Sequence, residues 1–96
     1  MAAYCLFDII EVLDPGKLDD YRQRVDATVL RYGGKYLVRG GHFEVMEGSY
    51  RPVRLVILEF PDLAQAKRWF DSEEYRPLKK MRQAAARANA VFVEGL

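Results

Sequence analysis

Two strand patterns that are apolar on both alternating faces, set in the element order β-α-β-β-α-α-β, predict an α+β domain. The expected fold is the ferredoxin-like split βαβ with a four-stranded antiparallel sheet in the spatial order 4-1-3-2. In Ala3 to Val12 one face carries Ala3, Cys5, Phe7 and Ile9, and the other Tyr4, Leu6 and Ile10 around a lone Asp8. In Val53 to Phe60 one set is Val53, Leu55 and Ile57, ending in Glu59, and the other is Arg54, Val56, Leu58 and Phe60. A small antiparallel sheet normally keeps one polar face for water. Here both faces ask for cover, and the helices of a 96-residue chain reach only one of them. The second face is expected against a copy of itself through a two-fold axis, giving a homodimer built as a dimeric α+β barrel. This length allows one domain, residues 1–96, and a modest core that a partner subunit would enlarge.

The elements follow in order. After the first strand, Asp14-Pro15 supplies an N-cap and a proline suited to the first helical position. The helix behind it places Leu18, Tyr21, Val25, Val29 and Tyr32 on one stripe and stops at Gly33-Gly34. Lys35 to Glu47 reads as a second strand interrupted at Gly40-Gly41, where a bulge or bend is expected. A turn through Gly48 to Pro52 leads into the third strand, Val53 to Phe60. Asp62 with Gln65 resembles a capping box and opens a short helix carrying Leu63, Ala66, Trp69 and Phe70. Ser72 caps another, with the stripe Tyr75, Leu78, Met81, Ala85 and Ala88. Asn89 to Leu96 is the last strand. The central strands of the predicted sheet are the first and third, the two that are apolar on both faces.

Half of the residues are hydrophobic and 12% aromatic, a folded composition. Fifteen basic against fourteen acidic residues leave a charge of +1, which gives no support to binding of nucleic acid or an anionic membrane. No apolar run approaches the ~20 residues of a membrane helix. The start, Met-Ala-Ala-Tyr-Cys, has no charged signal-peptide region, and the single cysteine, Cys5, cannot form an internal disulfide, so a reducing cytoplasm is expected. Cys5 reads as a small buried apolar residue. The chain has no Walker loop, G-x-G-x-x-G, C-x-x-C or H-E-x-x-H. With one histidine and one cysteine a transition-metal site is not expected. Any catalysis should use no cofactor, and should work on a small organic molecule with Arg, His, Asp or Tyr side chains.

The segments Tyr32 to Gly41, Leu58 to Asp62 and Trp69 to Tyr75, with Arg82-Gln83-Ala84-Ala85-Ala86-Arg87-Ala88, resemble an uncharacterised bacterial family, domain of unknown function 1330. The resemblance covers essentially the whole chain. It implies a ferredoxin-like subunit of the dimeric α+β barrel superfamily, which also holds antibiotic-biosynthesis-type monooxygenases, muconolactone isomerases and haem-degrading enzymes. It implies no established activity. Two functions follow as expectations. One is a small enzyme, monooxygenase- or isomerase-like and cofactor-independent; the other is a non-catalytic small-molecule-binding or stress-related dimeric module.

Three residues are the catalytic candidates. Arg39, ahead of two glycines, would offer a guanidinium fork to a carboxylate or enolate; the bland reading is an ion pair with Glu59 across the second and third strands. His42 is the one histidine, a residue type suited to acid or base work, but a partly exposed strand histidine without a catalytic role is the simpler reading. Asp8 is a lone carboxylate in an apolar strand, in want of a partner; its bland reading is a sheet-end carboxylate satisfied by backbone or Arg54. Asp8 and Glu59 belong at opposite ends of the sheet and do not form a pair. Tyr32, Tyr36, Trp69 and Tyr75 are the ligand-binding candidates, as the aromatic lining of a pocket between helices and sheet, although helical spacing makes most of them core. Arg76, Lys79, Lys80, Arg82 and Arg87 read as a solvated basic face.

Overall fold

The structure is a computed structural model that describes residues 1–96. Its elements are β1 (Ala3–Val12), α1 (Pro15–Arg31), β2 (Lys35–Arg39), β3 (Arg54–Phe60), α2 (Leu63–Phe70), α3 (Arg76–Ala85) and β4 (Ala86–Glu94). The sheet runs β2-β3-β1-β4 with every neighbouring pair antiparallel, which is the predicted order. The fold is thus α+β and ferredoxin-like, with three helices.

Local chemistry sets the helix ends. Asp14 Oδ1 accepts a hydrogen bond from the Lys17 backbone N–H at 3.0 Å, and Asp62 Oδ1 accepts one from Gln65 N–H at 2.7 Å. α1 stops because Gly33 turns to φ +79°, which lets Gly34 N–H donate to the Val29 carbonyl at 2.9 Å. Gly34 has a second constraint: a β-carbon there would stand 2.7 Å from the Phe60 ring, so only glycine lets the chain leave the helix this close to β3.

The β1 register divides the sheet faces. Cys5, Phe7 and Ile9 lie opposite Leu58, Val56 and Arg54, and these side chains face the helices. Leu18, Val25 and Val29 of α1, Trp69 of α2 and Leu78 of α3 pack onto them. Trp69, Phe60 and Tyr75 have no exposed surface, and the Trp69 ring lies 5.3 Å from Phe60 and 4.2 Å from Tyr75. Full burial of each such side chain stabilises the fold by ~1.5–3 kcal/mol. The Trp69 indole N–H is satisfied by Thr28 Oγ1 at 3.0 Å, whose own hydroxyl donates to the Val25 carbonyl at 2.7 Å.

The opposite face carries Leu6, Leu55 and Ile57, half-buried, and Val91 and Val93, which are 52% and 54% exposed. No helix covers them. The face is apolar along its middle, as the strand pattern requires, between Asp8 with Asn89 toward one end and Glu59 with Lys35 toward the other.

Four expectations need correction. The second strand does not run to Glu47: it ends at Arg39, where Gly40 adopts φ +74° and its N–H donates to the Leu55 carbonyl at 2.9 Å. Because β3 begins only at Arg54, residues 41–47 find no strand to pair with. The bulge lies at Leu37, between Tyr36 opposite Leu58 and Val38 opposite Ile57, rather than at the glycines. The last strand begins at Ala86, not Asn89, because Arg87 and Ala86 continue the ladder against Glu11 and Val12 past an irregularity at Ile10. Ser72 also caps a turn rather than α3 itself: its Oγ accepts from Tyr75 N–H at 3.1 Å, one residue before the helix starts.

Candidate functional site

Between α1 and the helix-facing side of the sheet lies a cavity floored by Phe7, Ile9, Val56, Leu58 and Ala88 and walled by Leu18, Tyr21, Val25 and Tyr36. Four guanidinium side chains, Arg22, Arg39, Arg54 and Arg82, complete its lining. The space open to water is about 40 Å³. A single water needs roughly 10–15 Å³ by that measure, whereas a dry cavity of roughly 150 Å³ accepts benzene. The cavity therefore takes a few waters or a carboxylate-sized group, and a whole ring only if the mouth opens.

The Leu37 bulge puts Arg39 here. Residues three apart in a regular strand face opposite sides; the extra residue brings Tyr36 and Arg39 to the same side, opposite Leu58 and Val56. Arg39 then stacks on the Tyr36 ring at 4.2 Å, pairs with Asp26 at 2.8 Å and donates to the Arg22 carbonyl at 2.9 Å. The hydrogen bond to Asp26 holds the Arg39 pKa above its ordinary value. The expected Arg39 to Glu59 pair is absent because Glu59 faces the other side of the sheet, opposite Lys35, and pairs with it at 3.6 Å.

The remaining cations differ in what satisfies them. Arg22 pairs with Asp19 at 3.4 Å. Arg54 has no carboxylate within pairing distance, and burial, with Arg22 and Arg39 nearby, lowers its pKa. Its guanidinium lies over Gly40, where a β-carbon would overlap it; the glycine opens the space that Arg54 fills. Arg82 is 7% exposed, lies over the Phe7 ring at 5.1 Å and donates from Nε to the Tyr75 hydroxyl at 3.2 Å, again without a carboxylate. Tyr75 in turn shares a 2.8 Å hydrogen bond with Tyr21.

The two phenols of the lining stay protonated. Burial pushes Tyr36 up to about 12, and burial with the neighbouring Tyr75 raises Tyr21 further. Guanidiniums have donors only, and a protonated phenol beside them is a donor too. The site can hold and stabilise an anion. It contains no group poised to take a proton near neutral pH.

Of the residues nominated from sequence, Arg39 and Tyr36 line the cavity and Tyr75 stands directly behind Tyr21 and Arg82. Trp69 is sealed in the core. Tyr32 sits outside the cavity, donating to Glu74 at 3.2 Å. His42 follows β2 in the segment without regular structure, with its side chain 83% exposed and 3.4 Å from Glu44. Asp8 lies on the opposite sheet face, 7% exposed, with Oδ2 3.4 Å from Asn89 Nδ2 and Oδ1 buried without a partner. Arg54 cannot satisfy it from the other side of the sheet. Arg39, His42 and Asp8 are thus not brought together within one chain.

Sequence reasoning missed Arg22, Arg54 and Arg82. Two of them carried a signal: Arg82 interrupts the stripe Leu78, Arg82, Ala85 on α3, and Arg54 shares its strand face with Val56, Leu58 and Phe60. A cation in an otherwise apolar stripe is costly unless a site uses it.

A family model for a domain of unknown function, DUF1330, matches residues 2–96, and the chain belongs to that family. No curated protein matches it. Among solved structures, a protein of unknown function from Rhodopseudomonas palustris is 20% identical, with TM-score 0.79 over 99% of this chain and 82% of that one. A dimeric ferredoxin-like protein of unknown function from Jannaschia sp. CCS1 is 16% identical, with TM-score 0.74 over 99% of this chain and 100% of that one. SnoaB, a cofactor-independent oxygenase from Streptomyces nogalater, is 10% identical, with TM-score 0.68 over 99% and 93%. At these identities the likeness is one of fold.

Proposed function

We propose that this member of the DUF1330 family is a cytoplasmic homodimer that binds a small organic anion, a carboxylate or an enolate, in the arginine-lined cavity. The observation that carries the reading is the pair Arg54 and Arg82, cavity cations that have no carboxylate of their own. Arg82 is buried and Arg54 half-buried; a charge drawn out of water without a counter-ion is costly, more so for Arg82, and a ligand oxygen would relieve it. The cavity's small volume assigns the anionic head to the interior, with the rest of the ligand at the mouth beside Tyr36 and Arg39.

Two outcomes of binding remain as proposals. A site of donors alone stabilises the anion of an acidic substrate, and the shared fold with a cofactor-independent oxygenase supports turnover of such an anion without a cofactor. A non-catalytic binding module needs only the same cavity. His42 and Asp8, outside the cavity, have no part in either. The dimer joins the uncovered sheet faces; their exposed valines and the dimeric Jannaschia relative support it.

Calorimetric titration with acetate and benzoate tests the site. The wild-type chain should bind saturably, and Arg54→Gln should weaken binding roughly 10- to 100-fold, the worth of a hydrogen bond to a charged group. Absence of saturable binding by either anion refutes the reading. Product formation in a screen of aromatic, quinone and lactone substrates would separate enzyme from binding module.

A further inference from the structure

We infer that Arg82, Tyr75 and Tyr21 form a one-way hydrogen-bond chain that fixes the Tyr21 hydroxyl as a donor to the anionic oxygen of the ligand. The inference rests on the anion-binding reading above and assigns a specific contact within it.

The direction follows from counting donors and acceptors. Arg82 Nε can only donate, so the Tyr75 oxygen is the acceptor of that 3.2 Å bond. The Tyr75 side chain has no exposed surface, and its hydroxyl has one other partner, the Tyr21 hydroxyl at 2.8 Å. A single proton lies on that line. If Tyr21 supplied it, the Tyr75 proton would be buried with nowhere to go, because a guanidinium cannot accept. If Tyr75 supplies it, both bonds along the line are made, and the one proton left over is that of Tyr21, which lines the cavity where a water or ligand oxygen can accept it. The second arrangement is the one buried polar groups adopt.

The chain also has the right polarity for its use. A cation donating into one end strengthens each donor along it, so the Tyr21 O–H is a better donor than an isolated phenol. Arg82 lines the cavity as well, so a cation and the Tyr21 hydroxyl both border the space an anion would enter. The elements hold this geometry in place: Tyr21 lies on α1, Tyr75 and Arg82 on the segment around α3, and the Tyr21 and Tyr75 rings meet edge-on at 6.4 Å. Tyr21 is the ligand contact, and Tyr75 is a positioning residue that acts through it.

A double-mutant cycle with acetate as the probe tests this. Tyr21→Phe should weaken acetate binding roughly 10- to 100-fold, as loss of a donor to a charged oxygen does. Tyr75→Phe should cause a smaller loss that disappears in the Tyr21→Phe background, because its effect passes through Tyr21. A purely structural role for Tyr75 would leave its effect intact in that background, and this result would overturn the inference. Tyr75→3-fluorotyrosine, close in shape and a stronger donor, should bind acetate more tightly than wild type; unchanged or weaker binding counts against the chain, also where Tyr75→Phe does not fold. If wild type binds acetate and Arg54→Gln weakens it while Tyr21→Phe does not, the chain falls and the anion site stands. If wild type binds no acetate, both fall.

Discussion

Val91→Asp separates the assembly from the fold of the protomer. Val91 lies opposite Leu6 on the uncovered sheet face and is 52% exposed in the single chain. In an isolated protomer the change is a surface substitution, within about 0.5 kcal/mol of neutral. In a sheet-to-sheet dimer it acts twice. Each copy loses the burial of about half a valine side chain, on the order of 1 kcal/mol. Each also adds a carboxylate whose desolvation costs several kcal/mol. The sum, on the order of 5–10 kcal/mol, weakens association by more than roughly a thousandfold, since each 1.4 kcal/mol is a factor of ten. Sedimentation velocity at tens of micromolar should show a dimer for the wild type and a monomer of nearly native ellipticity for Val91→Asp. Leu55→Asp is a poorer test, because Leu55 lies directly opposite Asp8 and like charges across a pair destabilise the protomer itself. Val56→Asp is the control: Val56 floors the cavity, so its replacement should unfold the chain rather than dissociate it. A Val91→Asp protein with wild-type dimer mass would refute the argument, as would a wild type that sediments as a monomer.

Other outcomes follow from the same geometry. Arg39→Lys keeps the charge but loses the fork that joins Asp26 to the Arg22 carbonyl; acetate affinity should fall less than in Arg54→Gln, and stability by no more than about 1 kcal/mol for so exposed a pair, read by titration and urea melts. His42→Gln should leave anion affinity, turnover and melting temperature unchanged, and a loss of any of them would place His42 in a site that one chain does not show. Alkaline pH should destabilise the fold: burial raises Cys5 from 9.0 and Tyr36 from 10.0, both to about 12. The unfolded chain therefore releases these protons first, so stability is complete below pH 9 and declines as pH rises toward about 12, which thermal melts across that range would register.

Much of the architecture was legible because its causes are local. Alternation in Ala3–Val12 and Val53–Phe60 marked the central strands, Asp14-Pro15 and Gly33-Gly34 bounded α1, and the apolarity of both strand faces named the surface left without cover. Those signals are written in neighbouring residues and need no knowledge of where the chain returns. The candidate site was legible only in part. Arg39 and Tyr36 belong to it, yet the reason they share a side is an extra residue at Leu37, and a bulge is chosen by pairing with β3 rather than by the sequence of β2. Arg22, Arg54 and Arg82 come from α1, β3 and α3, and nothing in their spacing shows that they converge. Asp8 looked like a partner for Arg54 because both are charges in apolar strands; the register puts them on opposite faces. Periodicity tells each strand which of its residues alternate. Only the packing of distant elements decides which face meets the helices, and with it which charges meet one another.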